Sequence, residues 1–268
     1  MSITNDLFSG IVSDNTMVKI LFLDTETTGA DPKTAEVCEV AFLLAEYDGF
    51  TFTGKKQVFE TLIKPSIPIP PEASAVNHIS NKMVAELPSK DHFADQIAEL
   101  TQKADFISAH NLPYDFTILL RQYPTLFEKF NKPHFIDTLR LSRHIWDEVP
   151  SHALQALRYR FELDENIQGE AHRALFDTEL VQSLLHFSLK QPSCANLNNN
   201  WNQLVELISS PLDIKIFGFG KYRGDLVEDV IASDPNYIKW LLRQKWLPEE
   251  QPDLYHTILR MKGDKDEK

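Results

Sequence analysis

"LDTETTG", Leu23–Gly29, follows directly on the apolar run "MVKILF", Met17–Phe22. The run reads as a buried strand, and it ends in two carboxylates one residue apart. Side chains at i and i+2 of a strand share a face, so Asp24 and Glu26 stand side by side at the strand's end. Two anions held that close repel unless something positive lies between them. Outward from this point, "EVCEVAFLLAEY" (36–47) and "KQVFETLI" (56–63) read as two further strands, separated by "TTGADPKT" and "DGFTFTG". Short connections between β-rich runs predict an antiparallel meander.

Beyond the proline-rich "KPSIPIPPEA" the texture changes. "HFADQIAELTQK" has helical spacing, "DFISAH" is a short strand, and "PYDFTILLRQY" is helical with proline near its start. "HFIDTLRLSRHIW" reads as a strand and helix, and "HALQALRYRF" and "HRALFDTELVQSLLHFSLK" as further helices. The expectation is an α/β protein whose mixed sheet, an antiparallel meander then parallel strands, is flanked by helices. The polar "QPSCANLNNN" (191–200) reads as a linker between a domain at 17–190 and a small module at 201–262. Within the module, "PNYIKWLLRQKW" is helical, and "GDKDEK" (263–268) reads as a frayed tail.

With 268 residues and 43% hydrophobic content, the chain can bury a substantial core. The opening "MSITNDLFSGIVSDNT" has no basic n-region, and no segment approaches a membrane span, so the expectation is a soluble cytoplasmic protein without a membrane partner. Cys38 and Cys194 are too few for a disulfide framework and read as free thiols. The formal net charge of -12 argues against an extended electrostatic grip on duplex nucleic acid, but not against an enzyme that holds a strand end.

Three further residues could complete the site begun by Asp24 and Glu26. Asp115 lies in "AHNLPYDFTILL", where Asn111 can cap a helix whose first turn holds the aspartate. His172 and Asp177 lie in "AHRALFDTEL"; five residues span about 500° of helical rotation, which places His172 on the loop entering the helix and Asp177 one turn inside. Each piece has a plainer reading: a strand-ending turn, a residue favoured at a helix start, a surface pair of Arg173 with Asp177 at i, i+4, a structural histidine.

In order and spacing, Asp24-Thr25-Glu26-Thr27-Thr28-Gly29, then "AHNLPYDFTIL", then His172 and Asp177 resemble the three motifs of the DEDDh 3'-to-5' exonucleases, which have a ribonuclease H-like fold. "LIKPSIPIPPEASAVNHIS" and "FIDTLRLSR" are similar to that family's supporting stretches, and "FGFGKYRGDLVEDVIASDPNYIKWLL" is similar to the tail of its exodeoxyribonuclease X subfamily. The second motif departs from pattern, with Leu112-Pro113 where a small residue is usual and Tyr114 where phenylalanine is usual.

The resemblance implies hydrolysis of DNA to 5'-mononucleotides from 3' ends, single-stranded or frayed. Such chemistry needs a nucleophilic water near neutral pH and neutralised charge at the phosphate, which two divalent cations about 3.5 to 4 Å apart supply. Oxygen ligands suit Mg²⁺ or Mn²⁺, two per active site. The implied metal ligands are Asp24, Glu26, Asp115 and Asp177, with Asp24 shared between cations and Asp115 close by, often through water. The implied general base is His172, a residue type with an ordinary pKa of about 6.5. Thr27, His78 and Asn111 are the implied substrate contacts. An exoribonuclease is the alternative within the superfamily, since RNA is distinguished by contacts to the 2'-OH. A non-catalytic nucleic-acid-binding or scaffold subunit is the alternative outside it, and a homodimer is compatible with the resemblance.

In "GFGKYRG", Tyr222 stands where a phosphate loop needs serine or threonine, which excludes that reading. Phe217, Phe219, Tyr222, Trp240, Lys221 and Arg223 could form a small aromatic core or stack on bases and track phosphates. Residues 206–247 carry six basic and six acidic residues, far less acidic than the chain as a whole. Because all five catalytic candidates precede the linker, a chain ending near Lys190 is expected to retain cleavage.

Overall fold

The computed structural model describes residues 17–266, so the expectation drawn from the opening sixteen residues lies outside them. The chain divides into two compact units, 1–209 and 210–268. The first is built on a five-stranded sheet of order β3-β2-β1-β4-β5. β1 (Met17–Thr27), β2 (Val37–Asp48) and β3 (Thr51–Leu62) form the antiparallel meander. β4 (Phe106–Ala109) and β5 (Phe135–Asp137) continue the sheet parallel to β1. This is the expected mixed sheet of the ribonuclease H-like fold.

One difference lies in the hairpin between β2 and β3. The stretch "DGFTFTG" is not a long connection: β3 already starts at Thr51, leaving Gly49-Phe50 as a two-residue turn. Gly49 sits at φ +52, and a Cβ there would come 3.0 Å from Asn199 Cβ, so both conformation and space select glycine.

The period of two along β1 sorts its side chains between two cores. Leu21 and Leu23 join a cluster with Ile97 and Leu100 of α3 (Ala94–Lys103) and Ile118 and Leu119 of α4 (Leu112–Gln122). Val18, Ile20 and Phe22 join the opposite cluster with Val181 and Leu185 of α8 (Ala174–Leu189). Asp24 and Glu26 continue this second set, so the alternation that buries the strand also aims both carboxylates toward α8. Thr25 continues the first set, toward α4.

The second cluster also takes in Trp201, Leu204, Val205 and Ile208 of α9 (Trp201–Ser209). Trp201 is buried, with its indole N–H on Gly49 O at 2.9 Å. The first unit therefore runs to Ser209, not Lys190, and a chain ending near Lys190 would strip an apolar helix from the core. The polar stretch before α9 is not a free linker either: Cys194 is buried within it. Both cysteines are free.

The second unit packs α10 (Val227–Ser233), α11 (Pro235–Leu241), α12 (Leu247–Glu250) and α13 (Pro252–Asp266) around Phe217, Val227, Ile238, Leu241 and Ile258. The helix expected over 235–246 ends at Leu241, where the chain turns so that Trp246 and Leu247 can pack inward. The segment expected to fray is helical through Asp266, and only its last two residues lie outside the described range. No helix among the described residues is long and apolar enough to cross a membrane.

Candidate active site

Asp24, Glu26 and Asp177 each offer an oxygen within 4.8 Å of the others. Asp177 arrives as the spacing predicts, in the first turn of α8, with His172 in the loop before it. Both oxygens of Asp177 are held: Oδ1 accepts from Gln155 Nε2 at 2.6 Å and Oδ2 from the His172 backbone N–H at 3.1 Å. His172 adopts φ 63 with its side chain exposed. A left-handed conformation at a non-glycine residue, fixed by a bond to a site carboxylate, positions that side chain at the rim.

Asp115 stands apart from the trio. It enters on α4 and is 4% exposed; Oδ1 accepts from Thr25 Oγ1 at 2.6 Å and from the Thr25 backbone N–H at 3.1 Å. Asn111 occupies the N-cap of α4 at φ 72, but its side chain makes no capping bond, contrary to expectation. Its backbone N–H instead donates to Asp137 Oδ1 at 3.1 Å, and that carboxylate already caps α6 (Thr138–Ile145) through the Leu139 N–H. The Asn111 side chain is thereby left exposed.

The unusual second motif has a structural role. Tyr114 donates its hydroxyl to Gly29 O at 2.7 Å and meets Thr27 Oγ1 at 2.8 Å, tying α4 to the turn after β1. Leu112 is buried in the core under α4. The Thr27 hydroxyl also reaches Gly29 O, so it is committed within the protein. His78 is exposed at the left-handed C-cap of α1 (Pro71–Asn77), and Asn77 Nδ2, bonded to Thr27 O at 3.2 Å, holds that helix end beside the end of β1.

One residue, Glu39, escaped the sequence reading, and Arg173 has a different partner from the one expected. Glu39 of β2 lies directly across from Glu26, a like-charge pairing that destabilises a sheet. Its carboxylate, 1% exposed, is answered by Arg173, with Nη2 at 2.5 Å and Nε at 3.2 Å from both oxygens, and by the Ala174 N–H at 3.1 Å. Arg173 thus pairs with Glu39 and not with Asp177. The signal that could have found this pair is a lone carboxylate inside the apolar "VCEVAFLL".

The charges left uncompensated explain the site's electrostatics. Burial, followed by the fields of Asp115, Asp177, Glu26 and Glu39, raises Asp24 well above the carboxylate range. Burial and Asp177 push Glu26 to about 8, and burial takes Asp115 to about 7. Asp177 is also raised by burial, against hydrogen bonds that lower it. Carboxylates so placed hold protons or a cation. An octahedral Mg²⁺ needs oxygens at most about 4.2 Å apart, twice its ~2.1 Å bond, so the trio fits one with a small contraction.

A mixed sheet whose central strand ends in clustered carboxylates, closed by a helix bringing a third, can hold a divalent cation of the kind that assists hydrolysis. A family model described as Exonuclease, of the RNase T type, matches residues 21–185, more than half of the chain, and the chain belongs to this exonuclease family. A second model, the exodeoxyribonuclease X-like C-terminal segment, matches residues 217–245. Exodeoxyribonuclease 10 of Escherichia coli (strain K12) is 26% identical over 242 residues, 88% of this chain and 95% of that protein. DNA polymerase III subunit epsilon of Pasteurella multocida (strain Pm70) is 29% identical over 173 residues, 62% of this chain and 66% of its own. The solved structure of exonuclease X with 5'-overhanging duplex DNA shares the fold, with TM-score 0.53 and 23% identity over 71% of this chain and 99% of that one.

The raised carboxylates make stability depend on pH. Glu26 moves from 4.5 to about 8 on folding, so its proton is held more tightly in the folded state. That contribution is complete below the unfolded value and is lost as pH rises through the folded one. In EDTA the melting temperature is therefore expected to fall between about pH 5 and 8, and saturating Mg²⁺ should reverse the fall. Glu26→Gln should melt higher than the parent in EDTA at the alkaline end, by about 2–4 °C for each ~1 kcal/mol relieved. A melting profile equally flat with and without Mg²⁺ counts against a carboxylate cation site.

Proposed function

We propose that this chain is a 3'-to-5' exodeoxyribonuclease that releases 5'-mononucleotides from single-stranded or frayed 3' ends. The observation that carries the reading is the convergence of Asp24, Glu26 and Asp177 within 4.8 Å at the end of a buried strand. The DNA preference is supported by the exodeoxyribonuclease relative that spans most of the chain.

Asp24, Glu26 and Asp177 would hold one divalent cation, Mg²⁺ or Mn²⁺, and Asp24 with Asp115 a second. Bound cations supply charge neutralisation at the phosphate and acidify water. The His172 imidazole takes the proton of the attacking water; the new P–O bond forms as the bond to the 3' oxygen breaks, and that oxygen leaves as a hydroxyl after protonation. His78 and Asn111, both exposed, would contact the strand. Thr27 contributes backbone, since its hydroxyl is spoken for.

Purified protein with Mg²⁺ and end-labelled DNA and RNA of matched sequence tests the reading. Mononucleotide release from DNA is expected. Release from RNA alone would make the enzyme an exoribonuclease, and release from neither, with saturable binding, would make it a binding subunit.

The Glu39–Arg173 pair makes a separate prediction. It anchors the first residues of α8, between His172 and Asp177, so Glu39→Gln should lower kcat by roughly 10- to 100-fold through misplacement of both. KM should change little for this variant, because Glu39, 1% exposed, cannot meet the strand. In Arg173→Gln the second substitution should cost almost nothing further, which a double-mutant cycle on kcat measures. Additive losses would mean that the two act independently.

A further inference from the structure

In the second unit an aromatic row of Tyr222, Tyr237 and Trp240 runs from the edge of the core, against which both tyrosines pack, to the surface. The glycine-rich turn closes through Phe217 N–H to Asp225 O and Gly224 N–H to Phe217 O, both 2.9 Å. Gly220 and Gly224 are left-handed, and a Cβ on Gly220 would come 3.3 Å from the Tyr237 hydroxyl. The turn thereby lays Tyr222 against Tyr237 of α11, rings 4.9 Å apart, and Tyr237 against Trp240 at 5.6 Å. Ile238 and Leu241 of the same helix enter the core, whereas Trp240 stays 52% exposed.

One cation is seated on this row and others lie near it in the chain. Lys221 Nζ lies 4.5 Å from the centre of the Tyr222 ring and 3.2 Å from Asp234. Asp234 is the acid of the patch, and it is fully engaged, accepting also from the Tyr222 hydroxyl at 2.6 Å and the Tyr237 N–H at 3.0 Å. Arg243 follows Trp240 by one turn, with its N–H on Trp240 O at 3.1 Å. Among the described residues, Arg223, Lys239, Arg243 and Lys245 are exposed and make no ion pair with a carboxylate. An apolar partner surface would leave these cations desolvated; a polyanion with accessible flat rings satisfies both features.

We propose that Tyr222, Tyr237 and Trp240, with Lys221 and Arg243 beside them, form a second nucleic-acid site that binds single strands by base stacking and phosphate pairing. Single strands fit because their bases are free to stack, while a handful of cations on a chain of net charge -12 is poorly suited to an extended duplex grip. The choice of partner rests on the exonuclease reading, but binding here is independent of cleavage.

The test titrates the full chain with a long 5'-fluorescein oligothymidylate in EDTA, following anisotropy. Trp240→Ala should bind roughly 10-fold more weakly, the worth of about one stacked base. Since Trp240 lies outside the core, this variant should melt like the parent and, in Mg²⁺, hydrolyse a trinucleotide at the parent rate with a raised KM only on long strands. Lys221→Gln with Arg243→Gln should reduce the slope of log affinity against log salt by about 1.4, about 0.7 per phosphate contact. Unchanged affinity in both variants overturns the proposal, as does equal loss on a fully paired duplex. A change in sedimentation of Trp240→Ala with strand affinity intact also overturns it, making the face a self-association surface. Absent mononucleotide release would defeat the exonuclease reading without touching the anisotropy result.

Discussion

Asp24→Ala is expected to leave no cation-dependent turnover at any pH, a loss of more than roughly 10³-fold. In the proposed site Asp24 would be the carboxylate common to both cations. Its oxygen lies in the group with Glu26 and Asp177, and Asp115 is the strongest of the charges acting on it. Removing it leaves Asp115, bound to Thr25, without a neighbour to share a cation. The same substitution relieves a buried charge, so the EDTA form should melt at or above the parent temperature even as activity vanishes. Rates measured from acid to alkaline pH at saturating Mg²⁺ and Mn²⁺, beside melting curves in EDTA, test both halves. Activity within about tenfold of the parent would remove Asp24 from the site.

For His172→Ala the expected loss is roughly 10²- to 10⁴-fold, the usual worth of a positioned base, with part regained as rising pH supplies hydroxide. The carboxylate trio should survive, because His172 contributes only its backbone N–H to Asp177 and alanine retains that group. The left-handed backbone complicates the comparison: alanine there costs about 1–2 kcal/mol, whereas asparagine tolerates it better. His172→Asn is therefore the companion variant. If the imidazole transfers a proton, both variants lose rate alike and both lose or shift the parent's decline toward acid pH. A merely structural histidine gives near-normal turnover in the folded fraction of both variants and an unchanged acid decline.

Much of this was legible in one dimension because it depends on local periodicity. The alternation that buries Val18, Ile20 and Phe22 also carries Asp24 and Glu26 to the same face, and the five-residue step from His172 to Asp177 marks a loop entering a helix. Fold class follows from such repeats, and the carboxylate set from the resemblance that the motifs carry. Tertiary structure alone decided what neutralises that set and where the first unit ends. Glu39 is 134 residues from Arg173, and nothing local announces a pair made only when β2 comes to lie across from Glu26 and α8 closes over both. Tyr114 reads as a departure until its hydroxyl is seen on Gly29 O, 85 residues away. Trp201 follows a polar, asparagine-rich stretch that looks like a linker, yet its indole is buried against the turn between β2 and β3. In each case the deciding energy is desolvation of a charge, a hydroxyl or a ring, and desolvation depends on which distant segment arrives to cover the group, a quantity that no window of sequence contains.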